Sequence, residues 1–493
     1  MQLRLRCARP ARCPDLRMLA LSSFVLITAA IGFFTWLKCR RAVRGAGSRE
    51  YFLAGNGLTA IYVAGSLTLT NINTDTLVGW NGSQSVMVIW WELAGIAGLI
   101  LLAKWFLPLY YRHKCTTVTE LLERKYGDPR LRALVAMLFL VGNVFIFLPI
   151  MLYTSSLFLT ALFGLELPLI VLASVMAAMG AAYAIFGGLR AVAVSDTYSG
   201  VLLFGMALTV TILALNAVDW DLSTLPPERS RLFGESGSVL PWHALLTGMI
   251  PVQLFYWSTN QTITQRALAA TSLAEAQRGC YIAALIRATI VPACVFVPGW
   301  CAYVLFGDTG DATYGRIVQA VLPAGLSGAF AAAMVAATMT SFNSVLNSSA
   351  ALYFCDIHQR FINPHARVAR WSVGLSIGLS VLSIALVPAY IGADSIIQTV
   401  QTLMGLFSMP ILAAFITGLG FRGVDARAVM LSLVFGAALY GFFTFKWQPL
   451  HFLHLMAITL VACVGFALLV NRLIFGRRVT PAWRAEDAVS AAA

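Results

Sequence analysis

Thr340, Ser344 and Asn347 recur at spacings of four and three residues inside an otherwise apolar run, so their polar side chains share one face of a helix. Ser341 and Ser348 stand beside that face, and Ala331, Ala332, Ala333, Ala336 and Ala337 precede it. Oxygen donors without a full carboxylate charge suit a hard monovalent cation such as Na+. The alanines allow another backbone to approach closely. A second polar stretch, Gly65 to Gly82, reads GSLTLTNINTDTLVGWNG. It sets Thr68, Thr70, Asn71, Asn73, Thr74 and Asp75 where a membrane-spanning helix should run. A lipid-facing carboxylate at that depth costs a few kcal/mol. Polar or irregular backbone persists there only when protein or a water-filled cavity surrounds it. The stretch therefore predicts a broken helix beside a site at mid-membrane, whose unwound carbonyls add to the oxygens of the hydroxyl face.

Other polar groups lie within apolar spans: Glu92 in WWEL, Asp196 in AVAVSD, and Asn260, Gln261 and Gln265 in YWSTNQTITQR. Arg287 sits in ALIRATIVP, and Gln398 and Gln401 in IIQTVQTLMG. Intramembrane ionisable residues usually face an aqueous or protein-lined path. Each also has a plainer reading. Asp196 is placed to be a solvated helix-start residue, Glu92 to be a buried partner that neutralises Arg287, and single hydroxyls to bond their own backbone.

The elements that hold these residues are membrane helices. The chain has 493 residues, 59% hydrophobic and 11% charged, with a mean hydropathy of +0.79. Soluble domains run near a quarter charged. Apolar spans of about 20 residues can be drawn at 18–37, 58–80, 84–109, 131–163, 167–187, 190–217, 239–262, 279–306, 318–355, 368–391, 393–418, 426–445 and 450–474. Numbered zero to twelve, they make about 13 transmembrane helices. The nine cysteines show no CxxC, and the six histidines no HExxH, so no metal or disulfide framework is legible. No P-loop or GxSxG stands in a strand-to-helix context. The chain does not read as an enzyme.

Arginine and lysine crowd the segments 38–57, 110–130, 263–278, 356–367, 419–425 and the tail from 475, while the alternate loops hold only Arg229, Arg231, Arg316 and Lys446. This asymmetry predicts the N-terminus outside and the C-terminus in the cytoplasm of a plasma or inner membrane. Residues 1–17 violate it with Arg4, Arg6, Arg9, Arg12 and Arg17, which favours Met18 as the start and the first 17 residues as an extension. The net charge of +13 comes from the same loops and implies no nucleic-acid partner.

From about residue 50 to 470 the chain resembles the sodium/solute symporter family, and within it the sodium–glucose/galactose symporter-like branch. The resemblance rests on YFLAGNGLTA at 51–60, FLPLYYRHKCTTVTELLERKYG at 106–127, YAIFGGLRAVAVSD at 183–196, YWSTNQTITQRALAATSLAEAQRG at 256–279 and TSFNSVLNSSAAL at 340–352. It implies an all-α, LeuT-like 5+5 inverted-repeat core in which spans one and six are discontinuous. The implied organisation is a peripheral helix and loop at 18–50, the core at 51–420, two further helices at 421–475 and a tail at 476–493. The implied sodium site comprises the carbonyls of Leu69, Ile72 and Ala337 with the hydroxyls of Thr340 and Ser341. Asp196 matches a carboxylate linked to sodium release. The implied solute site comprises Asn71, Asp75, Thr76, Glu92, Asn260, Arg287 and Gln401, with Trp80, Trp91 and Thr262 as gate positions. Departures from the branch fall on Asp75-Thr76, where a Glu-Gln pair is usual, on Thr262, where an aromatic is usual, and on the segment between Trp80 and Glu92, which is a few residues shorter; Arg287 stands where the galactose symporter has lysine.

The expectation is a secondary active symporter that uses Na+, with no organic cofactor, to import a small polar solute, most readily a sugar or polyol. The tryptophans are suited to stacking on the apolar face of a sugar ring. A carboxylate, amino acid or sialic acid paired by Arg287, and proton coupling through Asp75 or Asp196, stay open. A membrane sensor is the reading from another class, opposed by the lack of any signalling domain. Solute identity, stoichiometry and oligomeric state are not written in the chain.

Overall fold

The computed structural model describes residues 14–39, 52–53, 56–393 and 395–482, without side chains for 14–17, 31–32, 34–39, 182–199 and 369. The expected extension at 1–17 and most of the loop at 38–57 fall outside the fully described residues. Helix α1 spans Pro14–Cys39. Span one comes in two pieces, α2 (Ala60–Leu69) and α3 (Thr74–Ser83). Next are α4 (Val86–Arg112), the short α5 (Val118–Tyr126), α6 (Pro129–Phe163) and α7 (Leu169–Ala217). Where the sequence places two spans, 167–187 and 190–217, one helix runs through 188–190 without a turn. Span six also comes in two pieces, α8 (242–259) and α9 (Gln261–Leu268). The rest is α10 (Leu273–Phe306), α11 (Thr313–Val321), α12 (Ala324–Ile362), α13 (Val368–Leu386), α14 (Ile396–Gly420), α15 (Ala426–Phe445) and α16 (Phe452–Leu473). Strand β1 (Phe421–Arg422) pairs antiparallel with β2 (Thr480–Pro481).

Among the described residues nine helices are long and apolar enough to cross a bilayer. Spans one and six are absent from that set because each is interrupted, and the two interruptions have the same local chemistry. In span one the helix ends at Leu69 and restarts on Asn73, an extended residue at φ −132° whose side chain accepts from Thr76 N at 3.3 Å. In span six a π-helical turn over Phe255–Thr259 ends on Asn260, also extended, whose side chain accepts from Thr262 N at 2.9 Å. An asparagine N-cap satisfies one of the orphan N–H groups of a new helix. Water is scarce at that depth, so the restart depends on such a cap.

α12 is the most enclosed of the long helices, with nearly every residue from Ala331 to Ser349 buried. Around it small residues set the spacing. A Cβ on Gly200 of α7 would lie within 1.9 Å of the Leu69 side chain, and one on Gly98 of α4 within 2.5 Å of Trp257. Gly299 N donates to Asn81 Oδ1 at 2.6 Å, seating α10 against α3. At the Lys/Arg-rich end the buried Asp356 of α12 accepts from Arg132 Nε at 2.7 Å and Thr117 Oγ1 at 2.9 Å. Arg132 also reaches Glu120 and Glu123 of α5, both at 2.8 Å. Three cation–carboxylate contacts thus clamp α5, α6 and α12 together.

Candidate functional site

The break in span one brings two kinds of oxygen together. Leu69 and Ile72 end the first half, and among the described residues no backbone N–H bonds to either carbonyl. Across from them, Ser341 Oγ of α12 donates to Thr70 O at 3.2 Å, so the hydroxyl face of α12 abuts the unwound segment. Thr340 Oγ1 donates to Ala337 O at 2.9 Å, which places two further expected ligands beside each other one turn along the same helix. Thr340, Ser341 and Ala337 are all buried. The expected set, three carbonyls and two hydroxyls with no carboxylate, is of a kind that suits a small hard cation of single charge. Asp196, expected to act in release, lies among residues whose side chains are not described.

A few residues further on, Asn71, Asp75 and Thr76 line a cavity of about 80 Å³ together with Trp80, Trp91, Glu92, Arg287 and Gln401. Its centre is ionic. Arg287 and Glu92 form a buried salt bridge, with side chains 2% and 3% exposed. Assigned by its neighbours, the Asn71 amide turns its oxygen toward Arg287, where it accepts from Nη1 and Nη2 at 2.7 Å, and its nitrogen toward Tyr256 Oη at 2.6 Å. The guanidinium lies 4.5 Å from the centre of the Trp257 ring. Spans one, two, six and seven therefore meet at one cation. Thr76 Oγ1 donates to Asn71 O at 2.6 Å, holding the broken backbone in place.

Two acceptors are left over. Asp75 Oδ1 and Gln401 Oε1 are buried and have no hydrogen-bond partner among the described residues. Buried polar atoms are nearly always paired, and an unpaired one costs about 1–3 kcal/mol. Both residues line the cavity, so both call for donors from whatever enters it. On another wall Trp80 and Trp91 lie 5.4 Å apart at 34°, with Phe296 6.3 Å from Trp80. At about 80 Å³ the cavity is well below the roughly 300–1,000 Å³ of ligand clefts, so its walls must part to admit a ring.

Two expected residues sit elsewhere. Asn260 is the N-cap of α9, and Thr262 Oγ1 meets Ser348 Oγ at 2.7 Å, tying α9 to α12 away from the cavity lining. Tyr256 and Trp257, not anticipated, do line it. Both lie within the π-helical turn over Phe255–Thr259.

A model of the sodium:solute symporter family matches residues 51–436. The chain is 32% identical to an uncharacterized symporter, YidK, of Escherichia coli (strain K12), covering 94% of this chain and 85% of that one. It is 28% identical to the sodium/glucose cotransporter of Vibrio parahaemolyticus, covering 89% and 87%. It is 29% identical to the sodium/myo-inositol cotransporter 2 of Homo sapiens, covering 86% and 69%. Among solved structures it resembles a Na+-coupled sialic acid symporter with a TM-score of 0.80 at 18% identity, covering 92% of this chain and 98% of that chain. It resembles Mhp1, a nucleobase-cation-symport-1 family transporter, with a TM-score of 0.57 at 14% identity, covering 85% and 93%. These two likenesses show the fold, a LeuT-like helical core.

Proposed function

The chain belongs to the sodium:solute symporter family, and from that premise we propose that it couples inward Na+ movement to uptake of a neutral, hydroxyl-rich solute, a sugar or polyol. The observation that carries the choice of solute is the pairing of Arg287 with Glu92. A guanidinium whose charge is met by a buried carboxylate has little left for an anionic cargo, and Asp75 adds a second carboxylate to the same wall. A carboxylate-bearing solute would then face like charge in a desolvated site, which costs several kcal/mol. A polyol instead supplies hydroxyl donors to Asp75 and Gln401 and an apolar ring face to the tryptophans. The names of the glucose and myo-inositol relatives agree with this reading.

In this reading Na+ sits among Leu69, Ile72, Ala337, Thr340 and Ser341 and ties α2 to α12 in the outward-open state. The solute binds beside it, and the two five-span repeats then rock to expose both sites to the other side. The Lys/Arg distribution sets the direction, with the β1–β2 end of the bundle in the cytoplasm. At −100 mV one sodium charge contributes about 2.3 kcal/mol, nearly fiftyfold accumulation before any concentration gradient.

Uptake into proteoliposomes tests the proposal. Labelled glucose, myo-inositol and sialic acid would each be supplied under an inward Na+ gradient, a proton gradient or neither. Sodium-dependent accumulation of a neutral solute is expected. Accumulation of sialic acid alone, or accumulation driven by protons alone, would overturn it.

A further inference from the structure

Three of the six histidines, His243, His451 and His454, gather at the end of the bundle opposite the Lys/Arg-rich one, where α8 begins beside the start of α16. The two helices come to backbone contact there: a Cβ on Gly248 of α8 would lie 2.1 Å from Leu453 O of α16. His243 Nδ1 meets His454 Nε2 at 2.6 Å, with ring centres 4.7 Å apart and planes inclined by 18°. Atoms of rings stacked face to face stay about 3.5 Å apart. These two rings therefore meet edge to edge, each aiming a ring nitrogen at the other.

The remaining contacts assign the protons. Thr247 Oγ1 meets His454 Nδ1 at 2.7 Å and donates to His243 O at 3.2 Å. Its one hydrogen is spent on that carbonyl, so His454 Nδ1 donates to Thr247 and His454 Nε2 carries a bare lone pair. His243 Nδ1 then holds the single proton between the rings, and three hydrogen bonds close into a loop. His451 is occupied otherwise. Its Nδ1 accepts from Leu453 N at 3.4 Å as the cap of α16, and its Nε2 donates to Val239 O at 3.1 Å. Among the described residues no three His, Cys, Asp or Glu side chains gather around one point.

We infer that His243 Nδ1 and His454 Nε2 form a two-imidazole site for a divalent transition-metal ion of the Zn2+, Ni2+ or Cu2+ class, with water filling the remaining positions. Neutral imidazole suits these ions as a donor. Moving one proton, from His243 Nδ1 to its own Nε2, bares both facing nitrogens. Two nitrogens bound to one tetrahedral zinc stand about 3.3 Å apart, so the rings need part by less than about 1 Å. Metal-bound histidines typically donate their other ring N–H to an oxygen that fixes the tautomer, and His454 already makes that bond to Thr247. His243 and His454 are half-buried and Thr247 is exposed, so the pair is open to ions from the aqueous side. A bound ion replaces a shared proton by a staple between the first half of broken span six and the last helix.

Diethyl pyrocarbonate acylates imidazole at an unprotonated nitrogen. An imidazole that holds a metal at one nitrogen is protonated at the other and does not react. Full-length protein in nanodiscs would be treated with the reagent under increasing Zn2+, Ni2+ or Mg2+, each supplied alone. Modification of His243, His454 and the exposed, distant His365 would be followed by peptide mass spectrometry. Half the ligand set of a structural zinc site places Kd at roughly 10⁻⁶–10⁻⁴ M. At ten times Kd of Zn2+ or Ni2+ the His243 and His454 rates should fall about tenfold while His365 is unchanged. His454→Gln should abolish protection of His243. Thr247→Val keeps both ligands on an exposed rim position and should weaken protection about 10–100-fold. Absence of protection, equal protection by Mg2+, or unaltered protection in either variant overturns the inference. Failure here leaves sodium coupling untouched, because no transport is read.

Discussion

Glu92→Gln keeps the shape of the side chain and removes the charge opposite Arg287. Both side chains are nearly fully buried, so the guanidinium loses its carboxylate with no water to replace it. Breaking one side of a buried pair typically costs about 3–5 kcal/mol. Here the lower end applies, because Asn71 still accepts two bonds at 2.7 Å and the Trp257 ring still lies 4.5 Å away, a contact worth about 0.5–2 kcal/mol. Replacing both partners, Glu92→Gln/Arg287→Gln, should recover most of the loss, with a coupling of at least about 2 kcal/mol in a double-mutant cycle. The functional consequence is sharper than the structural one. With Glu92 neutral, the positive charge of Arg287 faces the cavity. At ~5 Å and an effective dielectric constant of ~20 a single charge is worth about 3.3 kcal/mol, or roughly 250-fold in affinity for an anionic solute. The assay is competition. A transported neutral hexose would be challenged with unlabelled hexose or the matching uronate, in wild type and in Glu92→Gln, under a Na+ gradient. Wild type should discriminate strongly against the uronate, and the variant should lose about two orders of magnitude of that discrimination. If the ratio does not move, Arg287 is not held from anions by Glu92, and the reasoning that selects a neutral solute fails.

Thr340→Ala/Ser341→Ala removes two of the five proposed sodium oxygens, each worth about 1.5–3 kcal/mol to a charged partner, so half-maximal uptake should need at least about a hundredfold more Na+. An unchanged sodium requirement would move the site elsewhere. Asp356→Ala leaves Arg132 with only the two glutamates of α5, and about 3 kcal/mol of stability should be lost, read as a lowered thermal midpoint that Arg132→Met does not worsen in the double variant. Asp311, in the segment between α10 and α11, has its carboxyl pushed by burial up to about 6, opposed by the bond it accepts from Ile396 N at 2.9 Å. Its folded state holds a proton more tightly than the unfolded chain, so stability falls by about 3 kcal/mol as pH rises from about 4 through 6. Asp311→Asn should flatten that part of the stability–pH curve, and an unaltered slope would place the titration on another group.

The polar run at 65–82 was legible as a broken helix because a carboxylate and several hydroxyl groups cannot be reconciled with lipid contact. The Glu92–Arg287 pairing was legible for the same reason: two opposite charges in apolar spans have few ways to be neutral. The hydroxyl face of α12 emerged from periodicity. Asn260 was harder, since an asparagine that caps a helix and one that binds a sugar look alike in a chain of letters. Tyr256 and Trp257 were harder still, because tyrosine and tryptophan in a membrane span read first as interface anchors.

Apart from Asp75 and Gln401, the polar groups of the cavity largely satisfy one another: Arg287 with Glu92, Asn71 with Arg287 and Tyr256, Thr76 with the Asn71 backbone. A solute that recruits them must therefore outcompete an internal rival present at fixed, high local concentration. This lowers affinity on arrival, and it also lowers the barrier to departure, because a bond the cargo gives up at Arg287, Asn71 or Thr76 is taken back by a neighbour, and only those to Asp75 and Gln401 are left bare. Binding groups arranged in this way favour throughput over retention, which is what a carrier needs and a storage or sensing protein does not.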